Sequence, residues 1–236
     1  MKMSKVSEIA RANSLDILRR LDGRRKGRVL RFLFDADLIT KDRLVVDLRC
    51  ADLRRIQLQG SDLRRTSLCQ VDLREANLME AKLSGAVLKD VDLRWSNLQE
   101  AELIEADLRR AKLWRANLRG AILTRSNLHM ADLQKADLSE AYLEGANLGG
   151  VILKGADLSH SYLMDAILQR ANLKGANLTG AYLDSVDLSE SDLTQADLRD
   201  AVLSKAILVV AKVTREQLTT AKSLQDAILP ESAKMG

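Results

Sequence analysis

The chain has 236 residues, a formal net charge of +4 and a mean hydropathy of −0.15, with 46% hydrophobic but only 3% aromatic residues. No apolar run approaches the ~18 residues of a membrane-spanning helix, and Met1 to Leu21 lack the continuous apolar stretch of a secretory signal, so a cytoplasmic chain without a membrane span is expected. Two cysteines are too few for a disulfide framework and read as ordinary reduced thiols.

Ser7 to Leu21 carry Ile9, Leu15, Leu18 and Leu21 at helical spacing, which predicts an amphipathic helix ended by Asp22-Gly23. A second helical stretch takes in Val29, Leu30, Leu33 and Phe34, and Ile39 to Asp42 link this segment to the rest of the chain. Residues 1–45 hold 12 Lys/Arg against 6 Asp/Glu, including the run Arg24-Arg25-Lys26-Gly27-Arg28. This segment reads as a helical N-terminal cap with a solvated basic face; contact with nucleic acid or an anionic membrane surface is the sharper alternative.

From 46 to 213 a leucine recurs at every fifth residue, 33 in succession from Leu48 to Leu208, with Val213 as the last member. Two places before each stands a small or β-branched residue, and the position between is usually Asp or Asn. A helix would rotate each leucine roughly 140° from the last, and a straight strand would send alternate leucines to opposite faces. Only a chain that turns a corner in every repeat keeps all of them inside. The small residue and the leucine then point inward and the Asp outward. If four sides close one coil, stacking at about 4.8 Å gives about 8.5 coils and a rod roughly 40 Å long. Burying one leucine contributes about 2 kcal/mol, less than the backbone entropy lost by five residues, so stability has to accumulate between neighbouring coils.

After Val213 the period breaks. Thr214 with Gln217 resembles a capping box opening a helical turn over Arg215 to Thr220, Leu224 and Leu229 leave the five-residue register, and Pro230 stops the pattern. Residues 214–236 therefore read as a C-terminal cap with an irregular final strand and a frayed tail from Ser232.

Ala51-Asp52-Leu53-Arg54-Arg55, Ala136-Asp137-Leu138-Ser139-Glu140 and Ala176-Asn177-Leu178-Thr179-Gly180 resemble the A(D/N)LXX signature of the pentapeptide repeat family. The resemblance implies an all-β solenoid, a right-handed quadrilateral parallel β-helix; the hand and the four sides come from the family and not from the spacing. Glycines such as Gly60 and Gly120 occupy the last corner position, where a type II turn needs positive φ. Corners bearing Arg110 or Glu140 there are expected to be type I or related turns. Cys50 and Cys69 fall at corners of neighbouring coils on the same side.

Sorted at a period of four repeats, one outward row carries Ile122, Tyr142, Tyr162, Tyr182 and Val202, and so holds all three tyrosines. It is a candidate interface, with self-association as its simplest form and a stabilising ladder as the bland alternative. A second face carries Arg54, Arg74, Arg94, Trp95, Trp114 and Arg115, a candidate basic and aromatic contact, though Asp52, Asp72, Asp92 and Asp132 offset its charge. Charge drifts along the tract: residues 46–120 have 14 basic and 12 acidic side chains, residues 121–213 have 8 and 12.

Catalysis is not expected. A leucine-filled interior leaves no cleft, His129 and His160 fall on different sides without further zinc ligands, and the cysteines form no CxxC. No cofactor, metal or small-molecule substrate is expected. The chain reads as a noncatalytic protein–protein interaction or scaffold module, bacterial, with an unnamed protein partner and a homodimer as one form of it. Alternatives are a structural self-associating rod, a nucleic-acid binder through the basic face, and a DNA-mimicking gyrase-binding protein. The last is a class within the family that resembles duplex DNA in size and negative charge, and a net charge of +4 departs from it.

Overall fold

A computed structural model of the chain describes residues 5–233. From Leu48 onward the backbone turns at every fifth residue. Each leucine carbonyl accepts from the amide three residues on, as Leu118 does from Ala121 at 3.0 Å. Four such turns bring the chain alongside itself, so that bridging residues pair at a constant separation, from Asp52 with Asp72 to Asp192 with Lys212. Every leucine from Leu48 to Leu208 is buried, and so are the alanines, valines, serines and Thr66 that alternate with them.

The hydrogen bonds of one side account for all five amides. Ala136 N donates within its turn to Leu133 O, Asp137 N to Ala116 O one coil back, and Leu138 N and Glu140 N to Asp157 O and Ser159 O one coil on. The remaining amide, Ser139 N, donates to the side chain of Asp137 at 2.9 Å. The Asp or Asn before each leucine is thus more than an outward polar residue: it supplies the acceptor that the corner lacks.

The all-β expectation is corrected. Among the described residues there is no β-strand: each side contributes one isolated bridging residue between turns, and the regular elements are three α-helices and one 3-10 turn. The repeat itself is the reason. With two of five residues in the corner and two at its junctions, one residue is left to bridge, and a strand needs consecutive bridges. The expected right-handed quadrilateral parallel β-helix is therefore a column of turn-linked coils.

The corners differ from expectation too. Every last corner position from Cys50 to Val210 has positive φ whether or not it is glycine, including Arg110 at 56° and Glu140 at 59°. With the turn bond closed this is the type II arrangement throughout. A left-handed non-glycine residue costs about 1–2 kcal/mol, against about 2 kcal/mol from burying its leucine. Leucine burial together with the inter-coil bonds outweighs the strain.

The first coil is covered by the N-terminal segment. Helix α1 (Lys5–Arg20) buries Leu18, and α2 (Gly23–Asp35) begins at Asp22, whose side chain accepts from Arg25 N. Asp22 thus opens the second helix rather than ending the first. Gly23 O accepts from Gln57 N at 3.1 Å, Ile39 O accepts from Ser67 N at 2.7 Å, and Lys41 N donates to Arg65 O at 2.7 Å. Buried Lys26 reaches Arg54 O and Asp52 on a third side, and Arg31 reaches Ser61 on the fourth. A Cβ on Gly27 would lie 2.3 Å from Gln57 O, so only glycine admits this approach.

At the other end α3 (Arg215–Thr219) opens with the reciprocal Thr214–Gln217 capping box, and Gln217 Nε2 donates to the turn carbonyls of Leu193 and Ala196. The coil then resumes one residue out of step, with Val202 bridged to Ser223, Ile207 to Ile228, and Asp226 as a left-handed corner. A 3-10 turn spans Glu231–Ala233; the rest of the expected tail, 234–236, and residues 1–4 lie outside the described residues.

Val210 is β-branched, exposed and left-handed at 60°. Val210→Gly should raise the thermal unfolding midpoint by about 2–4 °C. The reverse change at Gly120, where a Cβ meets only the flexible Glu100 side chain at 3.5 Å, should lower it by a similar amount.

Candidate interaction surfaces

Ile122, Tyr142, Tyr162, Tyr182 and Val202 are successive bridge partners on one face. The tyrosine rings stack at centroid distances of 4.9 and 5.0 Å with planes 4° and 3° apart. Neighbouring rings cover one another's faces, and Tyr142 and Tyr182 remain 42% and 40% exposed. The aromatic residues replace the Asp or Asn of other sides, so the corner amides of Glu144, Met164 and Asp184 lack the side-chain acceptor that Ser139 has.

The basic and aromatic residues lie along another corner. Trp95 and Trp114 meet edge to face at 4.9 Å, with Arg94 and Arg115 guanidinium carbons 5.6 and 4.7 Å from the respective ring centroids. Arg54, Arg74 and Arg94 are not free cations. Each donates through Nε and Nη2 to the Asp two residues before it, as Arg74 does to Asp72 at 2.9 and 2.6 Å. Weaker contacts of 3.8 and 3.7 Å link Arg54 to Asp72 and Arg74 to Asp92, and Lys26 begins the chain at Asp52. Among the described residues the cations without an ion pair on this side are Lys112, Arg115, Lys135, Lys154 and Lys174. The sequence held the signal: Lys112 stands where neighbouring coils have Asp92 and Asp132.

Among the described residues no His, Cys, Asp or Glu group is arranged to hold a metal ion, and no helix is long and apolar enough to cross a membrane. Cys50 and Cys69 are both free thiols. An open hollow of about 710 Å³ at the C-terminal end is lined by Val209, Val210, Val213, Ile228 and Pro230.

A family model described as pentapeptide repeats matches residues 51–90, 76–115, 86–125, 101–139, 141–180 and 181–214. The chain belongs to the pentapeptide repeat family, and as a member it is a noncatalytic, protein-interacting repeat protein. HetL, a pentapeptide repeat protein involved in heterocyst differentiation regulation from the cyanobacterium Nostoc sp. strain PCC 7120, is 30% identical over 89% of this chain and 98% of its own, with a TM-score of 0.55. A pentapeptide repeat protein of the Arabidopsis thaliana thylakoid lumen is 27% identical over 38% of this chain and 63% of its own, with a TM-score of 0.38. QnrB1, a plasmid-mediated fluoroquinolone resistance protein, is in one trypsin-treated form 18% identical over 72% of this chain and 91% of its own, with a TM-score of 0.45. No curated protein matches the chain.

Hydrogen bonds from Arg109, reinforced by its charge, outweigh burial and hold the Asp107 carboxyl below the usual carboxylate range. Asp47, Asp52, Asp62 and Asp197 are lowered in the same way by Arg49, Arg54, Arg64 and Arg199. At Asp92 burial pulls upward and the bonds from Arg94 outweigh it. A folded pKa below the unfolded value of about 3.9 stabilises the fold above that pH and ceases to as pH falls through the folded value. Urea midpoints should be flat between about pH 5 and 8 and decline below about pH 4. Arg109→Gln should be the less stable protein at neutral pH, with the gap to the native chain narrowing in acid; a gap unchanged by pH would contradict this.

Proposed function

We propose that the chain is a rod that binds a protein partner without chemistry, and that the row Ile122, Tyr142, Tyr162, Tyr182 and Val202 is its contact surface. The observation that carries this reading is the tyrosine stack itself, a contiguous aromatic surface left exposed on a face where most sides of the column present Asp or Asn. Exposed apolar surface of this continuity commonly marks an interface, and tyrosine contributes large contact area for little entropy. The involvement of the similar HetL in regulation is compatible with contact rather than catalysis. Contact with nucleic acid has less support, because Arg54, Arg74 and Arg94 are each held by an aspartate.

A photo-crosslinking phenylalanine analogue at position 162 tests the reading in the source cell. Irradiation should yield one discrete heavier adduct from position 162 and none from position 167, which faces outward on the next side of the same coil and, at 42% exposed, is more accessible than the half-buried Tyr162. Equal labelling from both positions, or no adduct from 162, would overturn it.

A further inference from the structure

We propose that the crevice between α2 and the side of the first coil that carries Gln57 binds a doubly ionised phosphate group, held chiefly by Arg24 and Arg28. The site is separate from the tyrosine row and does not depend on it.

The sequence of α2 builds one wall. Arg24, Arg28 and Arg31 are four and three residues apart, which puts them within about 60° of one another around the helix and along about 10 Å of it. Gly23 and Gly27 set that wall against the column. A Cβ on either would lie 2.1 or 2.3 Å from the carbonyl oxygens of Arg55 and Gln57, so α2 runs directly along the first coil from one corner to the next. Arg31 marks the far corner, where its Nη1 donates to Ser61 Oγ at 3.2 Å. The open crevice that results, about 540 Å³, is lined by the three arginines and by Gln57, Gln59 and Asn77.

These six residues offer donors and no carboxylate. The Arg24 and Arg28 side chains make no hydrogen bond or ion pair among the described residues. Gln59 Nε2 faces only Met79 Sδ at 3.7 Å, a weak acceptor, and Asn77 Nδ2 lies at 3.5 Å from Gln57 Oε1. A main-chain donor is left over as well. One coil on, Asn77 accepts from the corner amide of Met79 at 3.3 Å. Gln57 is a methylene longer and turns instead to Arg55 O, so the corner amide of Gln59 has no acceptor among the described residues.

The surrounding carboxylates leave this charge in place at the Arg24 and Arg28 end. Asp22 is held by Arg25 and meets Arg28 only through the field, Glu75 pairs with Arg55 at 2.8 Å, and Asp62 pairs with Arg64. Asp35, a turn beyond Arg31 on α2, and Glu80, on the far corner one coil on, make no ion pair among the described residues; both lie outside the lining and towards Arg31.

Two guanidinium forks with amide donors beside them suit a dianion with three acceptor oxygens, whereas a carboxylate fills one fork. No aliphatic or aromatic side chain lines the crevice to hold an acyl chain or a base. Arg54, Arg74 and Arg94 on the neighbouring side are committed to aspartates, so no basic track continues for a nucleic-acid backbone.

The probes are inorganic phosphate and the blocked peptide Gly-Gly-phosphoserine-Gly-Gly, with serine and glutamate peptides as controls. Each is titrated into the full chain at about pH 7.5, above the second phosphate pKa of about 6, while the Arg24 and Arg28 Nε–H and Gln59 N–H signals are followed by NMR. Phosphate and the phosphoserine peptide should shift these signals saturably, the serine peptide should not, and the glutamate peptide should bind about tenfold more weakly than the phosphoserine peptide. A phosphopeptide tighter than phosphate assigns the group to a phosphorylated side chain, and equal affinity assigns it to free phosphate; the site chemistry holds in both. Arg28→Gln should weaken binding about tenfold with the thermal midpoint unchanged. Gln57→Asn, which gives the Gln59 amide the acceptor that Met79 has, should weaken it about threefold while the midpoint holds or rises. Glutamate and phosphoserine peptides binding alike, full binding in Arg28→Gln, or no shift with either phosphate probe would overturn the proposal.

Discussion

Everything in this molecule depends on one corner repeated at every fifth residue: a leucine carbonyl bonded to the amide three residues on, with a left-handed residue between them. That corner rotates the chain so that the next leucine also faces the axis. Because four corners close a coil, the backbone groups that a turn leaves unpaired meet those of the coils on either side. The strain of placing Arg, Glu, Trp or Val in the left-handed region is tolerated because it is local, whereas the leucine burial and inter-coil bonds it permits are shared by neighbours. The interior is consequently filled and uniform, and whatever distinguishes this chain from other members of its family has to lie on its outer rows.

Those rows do different work. On the side of Asp52, Asp72 and Asp92 the carboxylates bond the corner amide and clamp an arginine, so charge that looks exposed in the sequence is committed to the fold. On the tyrosine side the outward residue gives up the corner bond and gains a ring stack, a local cost that the column does not need in order to close. A rule of the repeat is broken in successive coils at one place, and that is where a site is most reasonably sought.

The period, the burial of every leucine and the coincidence of the three tyrosines in one row were legible because a strict five-residue spacing has few geometric solutions. The absence of strands was not, since hydrophobic pattern reports which side chains are inside and says little about how many consecutive residues pair. The conformation at Arg110 and Glu140 was misread because propensity favours a right-handed corner there, and the closure of the coil overrides it. The approach of Gly23 and Gly27 to Arg55 and Gln57 carries no sequence signal beyond a four-residue glycine spacing inside a basic run. The neutralisation of Arg54, Arg74 and Arg94 was partly visible in Asp-Leu-Arg, but the bidentate geometry was not. The unpaired cations from Lys112 to Lys174 emerge once those pairs are removed.

The central claim is that register, rather than the identity of any one residue, holds the column together. It is tested most directly by comparing thermal unfolding of two insertions at the same point after Gly120: a duplicate of residues 121–140, which adds one whole coil, and a single extra glycine. The whole coil should be absorbed, giving one cooperative transition at or above the native midpoint, because every leucine beyond it keeps its place. The single glycine should lower the midpoint steeply or abolish cooperative unfolding, since all later leucines lose their facing. A glycine insertion tolerated as well as the added coil would contradict the account.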